Sequence, residues 1–261
     1  MLKTIFTILL FAAVGCFAQQ QEPVDVSAEP HHKHVLENIF VRAYAVTVDP
    51  KQSTLMHRHG HDYLSISLGE AEITNNRQGA QPAVARFKDG DVRFSAAPLV
   101  HAVTDNLDTP FRNITIELMQ PTTNQKACTE SCTVPVPCES ADKSSCVTEE
   151  KLMTADQWSV TRITLPAGAK YPQHTHLANF LTIPLTDAEI KVRVQDGPET
   201  EAHYKTGELR WNNPVVHTIT NPGKSAVKVI VLEFRGRPSG EGSESMTGAQ
   251  KPAEHKPHEH R

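Results

Sequence analysis

The chain has little excess charge of either sign: 26 lysines and arginines stand against 30 aspartates and glutamates, a formal net charge of −4 over 261 residues. No basic stripe runs along it, which argues against nucleic acid as a partner. It has no apolar run of membrane-spanning length. The hydrophobic stretch from Ile5 to Val14, behind Lys3 and followed by small residues, has the pattern of a secretory signal peptide instead. Aromatic residues make up 6% of the chain, ordinary for a soluble β-rich protein, and no window of helical period stands out.

These lacks define the ends of the chain. Residues 1–18 read as a signal peptide cleaved after Ala18, which places the mature protein in the periplasm. The alternative is a lipobox, Ala13-Val14-Gly15-Cys16, with a lipid on Cys16. Only that alternative brings a membrane, as an outer-membrane lipoprotein. Residues 19–34 are polar and are expected to be poorly ordered, with His31, His32 and His34 as surface histidines. Residues 237–261 are rich in Gly, Ser, Pro, Glu and Lys and lack apolar periodicity, so a disordered, solvated tail carrying His255, His258 and His260 is expected.

What is present is a repeat. His57-Arg58-His59 returns as His174-Thr175-His176, and His101, after Pro98-Leu99-Val100, returns as His217, after Pro214-Val215-Val216. Gly90-Asp91-Val92-Arg93-Phe94 matches Gly207-Glu208-Leu209-Arg210-Trp211, and Ile114-Thr115-Ile116-Glu117 matches Ile230-Val231-Leu232-Glu233. The near-constant offset describes two copies of one domain. Alternating segments at Val41–Val48, Leu64–Leu68 and Phe111–Leu118, and in the second half at Trp158–Leu165, Leu181–Leu185, Ile190–Val194 and Val227–Phe234, read as strands. Turn signals such as Asp89-Gly90 and Asn221-Pro222-Gly223 separate them. Each half is therefore expected to be an all-β barrel or sandwich.

Two histidines one residue apart on a strand point to the same face. With the later histidine, each half offers three convergent imidazoles: His57, His59 and His101, then His174, His176 and His217. Such a set suits a divalent transition metal, Fe, Mn, Ni, Cu or Zn. Between the halves, Cys128, Cys132, Cys138 and Cys146 lie in a polar insert over residues 121–150. Their spacing lacks the paired two-residue knuckles of common zinc sites, and an exported chain favours two disulfides, with three pairings open.

The histidine motifs resemble those of the cupin superfamily, specifically its two-barrel members, the bicupins. Gly168, five residues, then His174 and His176 matches the first cupin motif, and Pro214, His217 and Asn221 matches the second. The first half is looser, with Lys51 in place of Gly and Asp105 in place of Asn. The resemblance implies tandem jelly-roll barrels over residues 35–120 and 151–236. It implies a monomer, since bicupins mimic a single-barrel dimer in one chain, with a homo-dimer as the other option. The usual glutamate ligand is missing: Tyr63 or Leu64, and Phe180 or Leu181, occupy its two possible spacings. Three-His sites of this kind occur in some cupin dioxygenases. His61, sharing the parity of His57 and His59, and Tyr63 are the candidates for proton transfer or hydrogen bonding in the first half. Arg112 is a candidate anion contact, more ordinarily a surface ion pair, and Glu117 and Glu233 either face the pocket or pair with a nearby Lys or Arg. The resemblance allows an exported metal-dependent oxygenase acting on a small organic molecule. It equally allows a non-catalytic periplasmic protein binding a small ligand or a metal.

Overall fold

Short alternating segments punctuated by turn residues favour strands over helices, and this computed structural model, which describes residues 22–236, is strand almost throughout. The expected signal peptide and the tail beyond Gly236 lie outside the described residues. In chain order the strands of the first half are β1 (Val24–Asp25), β2 (His32–Glu37), β3 (Val41–Val48), β4 (His57–His59), β5 (Tyr63–Ser67), β6 (Ala71–Arg77), β7 (Ala83–Phe87), β8 (Val92–Ser95), β9 (Leu99–Asp105) and β10 (Phe111–Leu118). The insert adds β11 (Lys126–Ala127) and β12 (Thr133–Val134). The second half runs β13 (Thr148–Thr154), β14 (Trp158–Leu165), β15 (Lys170–His176), β16 (Phe180–Pro184), β17 (Ala188–Val194), β18 (Glu199–Tyr204), β19 (Arg210–Asn212), β20 (Val215–Thr220) and β21 (Val227–Phe234).

Two compact units result, the first built from the described residues up to Leu36 together with Arg42–Glu117, the second from Glu37–Val41 and the described residues from Leu118 on. The first contains sheets β1-β4-β9-β6-β7 and β2-β3-β10-β5-β8, and the second contains β15-β20-β17-β18 and β13-β14-β21-β16-β19 extended by the insert. Leaving out β1 and the insert, raising every strand number of the first unit by eleven reproduces the second. The sequence repeat is thus a repeat of topology, and each unit's two sheets enclose one cavity.

Alternation along the return strands assigns two buried faces rather than one wet and one dry. On β10, Phe111, Asn113 and Thr115 line the first cavity, while Ile114, Ile116 and Leu118 are buried on the opposite face. On β21, Val227, Val229 and Val231 line the second cavity, while Ile230, Leu232 and Phe234 are buried opposite.

The looser first motif keeps its backbone. Lys51 holds φ of 62°, the left-handed conformation that its repeat partner Gly168 holds at 71°. Its ammonium pairs with Asp108 at 3.1 Å. The motif-ending Asn221 and Asp105 are structural: Asn221 Nδ2 donates to the carbonyls of Leu165, Pro166 and Ser225, and Asp105 accepts from the Leu107 and Phe111 amides.

The expectation of a poorly ordered segment over residues 19–34 is corrected. From Val24 the segment is ordered: β1 pairs in parallel with β4, Val24 opposite His57 and Asp25 opposite Arg58. Val26 is buried, and the Glu29 carboxylate is satisfied by neighbouring histidines and amides. Order here comes from covering the edge of β4 and from one buried carboxylate, neither of which leaves an apolar period. In the insert, Cys128 pairs with Cys132 and Cys138 with Cys146, the sequential choice among the three pairings. The strands β11 and β12 join β13, so the polar insert is stapled and hydrogen-bonded to the second unit's sheet.

Candidate metal centres

In the first unit, alternation on β4 buries His57 and His59 and exposes Arg58. The antiparallel register sets His57 opposite His101 on β9. The His57 ring lies 4.6 Å from His101 and 5.0 Å from His59, centroid to centroid, and His59 lies 5.3 Å from His101. A fourth ring enters from the opposite sheet: His32 on β2, 4.7 Å from His57. The trio whose ligand atoms all fall within 4.8 Å of one another is His32, His57 and His59. The sequence reading named His101 as the third member. His101 joins the cluster through its ring, outside that tighter trio, and His32 stands beside it as a further imidazole.

The outer nitrogens fix the inner ones. Nδ1 of His57 meets the Leu55 carbonyl at 2.8 Å, Nδ1 of His32 meets Glu29 Oε2 at 2.6 Å, and Nδ1 of His101 meets Asn75 Oδ1 at 3.1 Å. Nδ1 of His59 stands 3.5 Å from Glu117 Oε1. A ring that donates from Nδ1 keeps the Nε2 lone pair for something else. Nε2 of His57 and of His101 is buried without a hydrogen-bond partner. Burial, reinforced by neighbouring imidazoles, lowers the His57 pKa to about 4, that of His59 to about 3 and that of His101 to about 2. A cluster of neutral rings, two of them with a buried Nε2 that lacks a partner, fits a divalent metal, which needs deprotonated nitrogen donors.

These shifts predict acid sensitivity. Each ring protonates near pH 6.5 when unfolded and only near pH 4 or below when folded, so the unfolded chain binds more protons over that window and stability falls as pH falls. Metal-free protein is expected to lose roughly 1.4 kcal/mol per pH unit for each such ring below about pH 6. Thermal melts of chelator-treated protein between pH 7.5 and 4.5 check this. A flat melting temperature across that range contradicts the buried neutral cluster.

The second unit repeats the arrangement with three rings. His174 on β15 lies opposite His217 on β20, and the ligand atoms of His174, His176 and His217 all fall within 4.8 Å. Nε2 of His217 faces Nε2 of His174 at 2.8 Å, while Nδ1 of His174 meets the Pro172 carbonyl at 2.9 Å. Glu233 Oε2 is 3.9 Å from Nδ1 of His176, as Glu117 is behind His59. In both units, then, a carboxylate stands near Nδ1 of the second motif histidine, beyond hydrogen-bond contact. Where a glutamate ligand would follow, an aromatic ring stacks instead: Tyr63 on His59 at 4.1 Å and Phe180 on His176 at 3.9 Å.

The cavities differ more than their frames. The first, about 550 Å³, is lined by Ser65, Asn75, Arg77, Asn113 and Thr115 among apolar residues. At the repeat-equivalent positions the second, about 380 Å³, has Thr182, Val192, Val194, Val229 and Val231. One chamber suits a polar molecule and the other an apolar one.

No family model matches the sequence, and no curated protein matches it. Solved structures do match. AerE from Microcystis aeruginosa aligns over 80% of this chain and 99% of its own, at TM-score 0.52 and 11% identity. Oxalate decarboxylase from Bacillus subtilis aligns over 77% of this chain and 70% of its own, at TM-score 0.52 and 12% identity. The chain has the two-barrel cupin fold. At these identities the likeness speaks for the fold, and the chemistry has to come from the residues themselves.

Within that cupin frame the remaining candidates separate. Tyr63 lines the first cavity, buried and with its pKa raised by burial, so its hydroxyl stays a donor at neutral pH. His61 does not line the cavity. The strand ends at His59 and Gly60 follows, so the alternation that would turn His61 inward stops. It lies instead within electrostatic reach of Glu117. Arg112 is exposed on β10. Glu117 is buried beneath the site, its pKa raised by burial, with Arg42 at 3.8 Å. The residues missed by the sequence reading are His32 and Glu29. Neither belongs to a cupin motif, and the only signal was a histidine three positions after a glutamate in a segment without periodicity.

Proposed function

We propose that the protein is an exported, metal-dependent oxygenase of the cupin type, in which imidazoles hold a divalent transition metal and the first barrel presents a small polar organic molecule to it. The observation that carries this reading is the set of inward nitrogens left unpartnered at His57 and His101 while the outer nitrogen of each ring is engaged. The Bacillus subtilis oxalate decarboxylase with which the chain shares its fold contains Mn(II) centres, which supports a divalent ion here. Periplasmic residence rests on the hydrophobic N-terminal run and agrees with the disulfides of the insert.

A bound divalent ion would supply Lewis acidity and a place for oxygen. The chain's own contribution is orientation. Asn75 orients His101 and lies in the cavity wall with Arg77, which gives a polar molecule a donor and a positive charge on one side. Tyr63 offers a hydroxyl proton from the other, and the apolar residues Val46, Val48 and Phe111 keep bulk water from the floor.

Metal analysis of protein truncated after Gly236, so that the terminal histidines add nothing, tests the first half of the reading. About one equivalent per barrel is expected. Oxygen uptake across phenols, diketones and thiols tests the second half, with uptake expected in wild type and lost in His57→Ala. Metal far below stoichiometry, both as purified and after reloading, defeats the metal reading. Equal uptake in wild type and His57→Ala defeats catalysis. The valine-lined second cavity favours a second reading, a barrel that captures an apolar ligand without turning it over. Saturable binding of such a ligand with no oxygen uptake is its signature.

A further inference from the structure

The two barrels differ at one ring position. His32 lies on β2 beside the stretch of β3 around Val46 and Thr47, where the Thr47 amide donates to the His31 carbonyl. The equivalent strand of the second barrel is β13, where Glu149 pairs with Ile163, the repeat counterpart of Val46. Glu149 is therefore the counterpart of His32. Its Oε2 accepts a hydrogen bond from the Tyr171 hydroxyl at 2.6 Å, and the Tyr171 ring stacks on His174 at 3.9 Å. The counterpart of Tyr171 in the first barrel is Thr54, whose small hydroxyl accepts from the Val103 amide. Where the second barrel fills the space beside its first motif histidine with a phenol, the first barrel leaves it to an imidazole.

We propose that His32, brought across the first barrel by the N-terminal strands and held by Glu29, is the fourth nitrogen ligand of that barrel's metal, replacing the glutamate its motif lacks. The second barrel remains a three-nitrogen site whose fourth direction is closed by the Tyr171–Glu149 pair. This rests on the metal reading above.

The geometry around Glu29 is that of an orienting carboxylate. Its side chain is fully buried, and it takes Nδ1 of His32 at 2.6 Å, Nδ1 of His31 at 2.8 Å, the His31 amide at 2.9 Å and the Leu55 amide at 3.1 Å. Leu55 in turn gives its carbonyl to Nδ1 of His57. One carboxylate thus fixes His32 directly and His57 through a single residue, and β1 locks the same segment to β4. A histidine whose Nδ1 is tied to a carboxylate presents Nε2 as a more basic donor. A histidine placed merely to fill space would not need a buried acid behind it.

The test uses the full chain carrying His174→Ala and His217→Ala, to silence the second barrel, and alanine at His255, His258 and His260. Co(II) is titrated in by calorimetry, and its visible absorption reports the ligand set. Adding His32→Ala is expected to weaken Co(II) binding at least 10-fold and to change the absorption bands as water replaces an imidazole. Glu29→Gln, which preserves shape, is expected to weaken binding about 10-fold with the bands retained. Circular dichroism checks that each variant is folded. If His32→Ala does not fold, Glu29→Gln alone decides, and unchanged affinity there overturns the proposal. Unchanged affinity and bands in folded His32→Ala, with both lost in His57→Ala, remove His32 from the site and leave the metal reading standing. No Co(II) uptake by the starting chain removes both.

Discussion

Replacing His57 and His174 together with alanine is expected to strip both barrels of divalent metal, each site losing roughly 100- to 1,000-fold in affinity. The magnitude follows from zinc sites, where about 10–16 kcal/mol of binding shared among four ligands leaves roughly 2.5–4 kcal/mol for each. These two histidines should matter most because each is oriented by its own chain before any ion arrives: Nδ1 of His57 meets the carbonyl two residues back at Leu55, and Nδ1 of His174 meets that of Pro172. Each also sits at the hub of its cluster, opposite His101 or His217 across the ladder. Either substitution alone should remove the metal of one barrel only. Equilibrium dialysis followed by elemental analysis reads the result. Retention of both equivalents in the double variant would place the metal elsewhere in the chain.

Much of this was legible in the sequence because the barrel writes itself twice. The offset of the His-x-His pairs, of Gly90 and Gly207, and of Glu117 and Glu233 announced the repeat. Strand alternation placed His57 and His59 on one face without any knowledge of the partner strand. Four things were not legible. Strand ends are set by hydrogen bonding and not by parity, so the end of β4 at His59 removed His61 from the cavity. Pairing at long range is invisible to local pattern, so the parallel ladder of Val24 with His57, and with it the ordering of residues 24–37, left no trace in composition. A side chain that works through a buried acid has no period at all, which is why His32 read as a surface histidine. The cavity lining was also hidden. The apolar residues Ile114, Ile116 and Leu118, which the alternation sets on one face, are buried on the face away from the cavity, and the chamber is walled by Asn113 and Thr115.

That distinction between the two faces of the return strand has an energetic consequence on β21, where both faces carry aliphatic residues. Leu232→Ala is expected to destabilise the protein by about 3–5 kcal/mol, and Val231→Ala, one residue away, by only about 1–2 kcal/mol. Leu232 is fully enclosed, so removing its branched end leaves a void that close-packed neighbours fill only in part. Val231 faces a chamber of about 380 Å³ that already exists. Its truncation loses the transfer free energy of two methyl groups and enlarges that chamber without opening a new void. The next residue, Glu233, faces the same side as Val231 and stands near Nδ1 of His176. A strand shifted by collapse around position 232 would therefore also loosen the carboxylate behind a candidate ligand, whereas the Val231 variant should leave that pairing in place. Thermal melts at neutral pH with the disulfides intact give the two costs, and metal affinity of the second barrel gives the coupling. Equal destabilisation by the two substitutions would mean that the chamber is packed in solution, and with it would go the argument that the second barrel has room for a ligand.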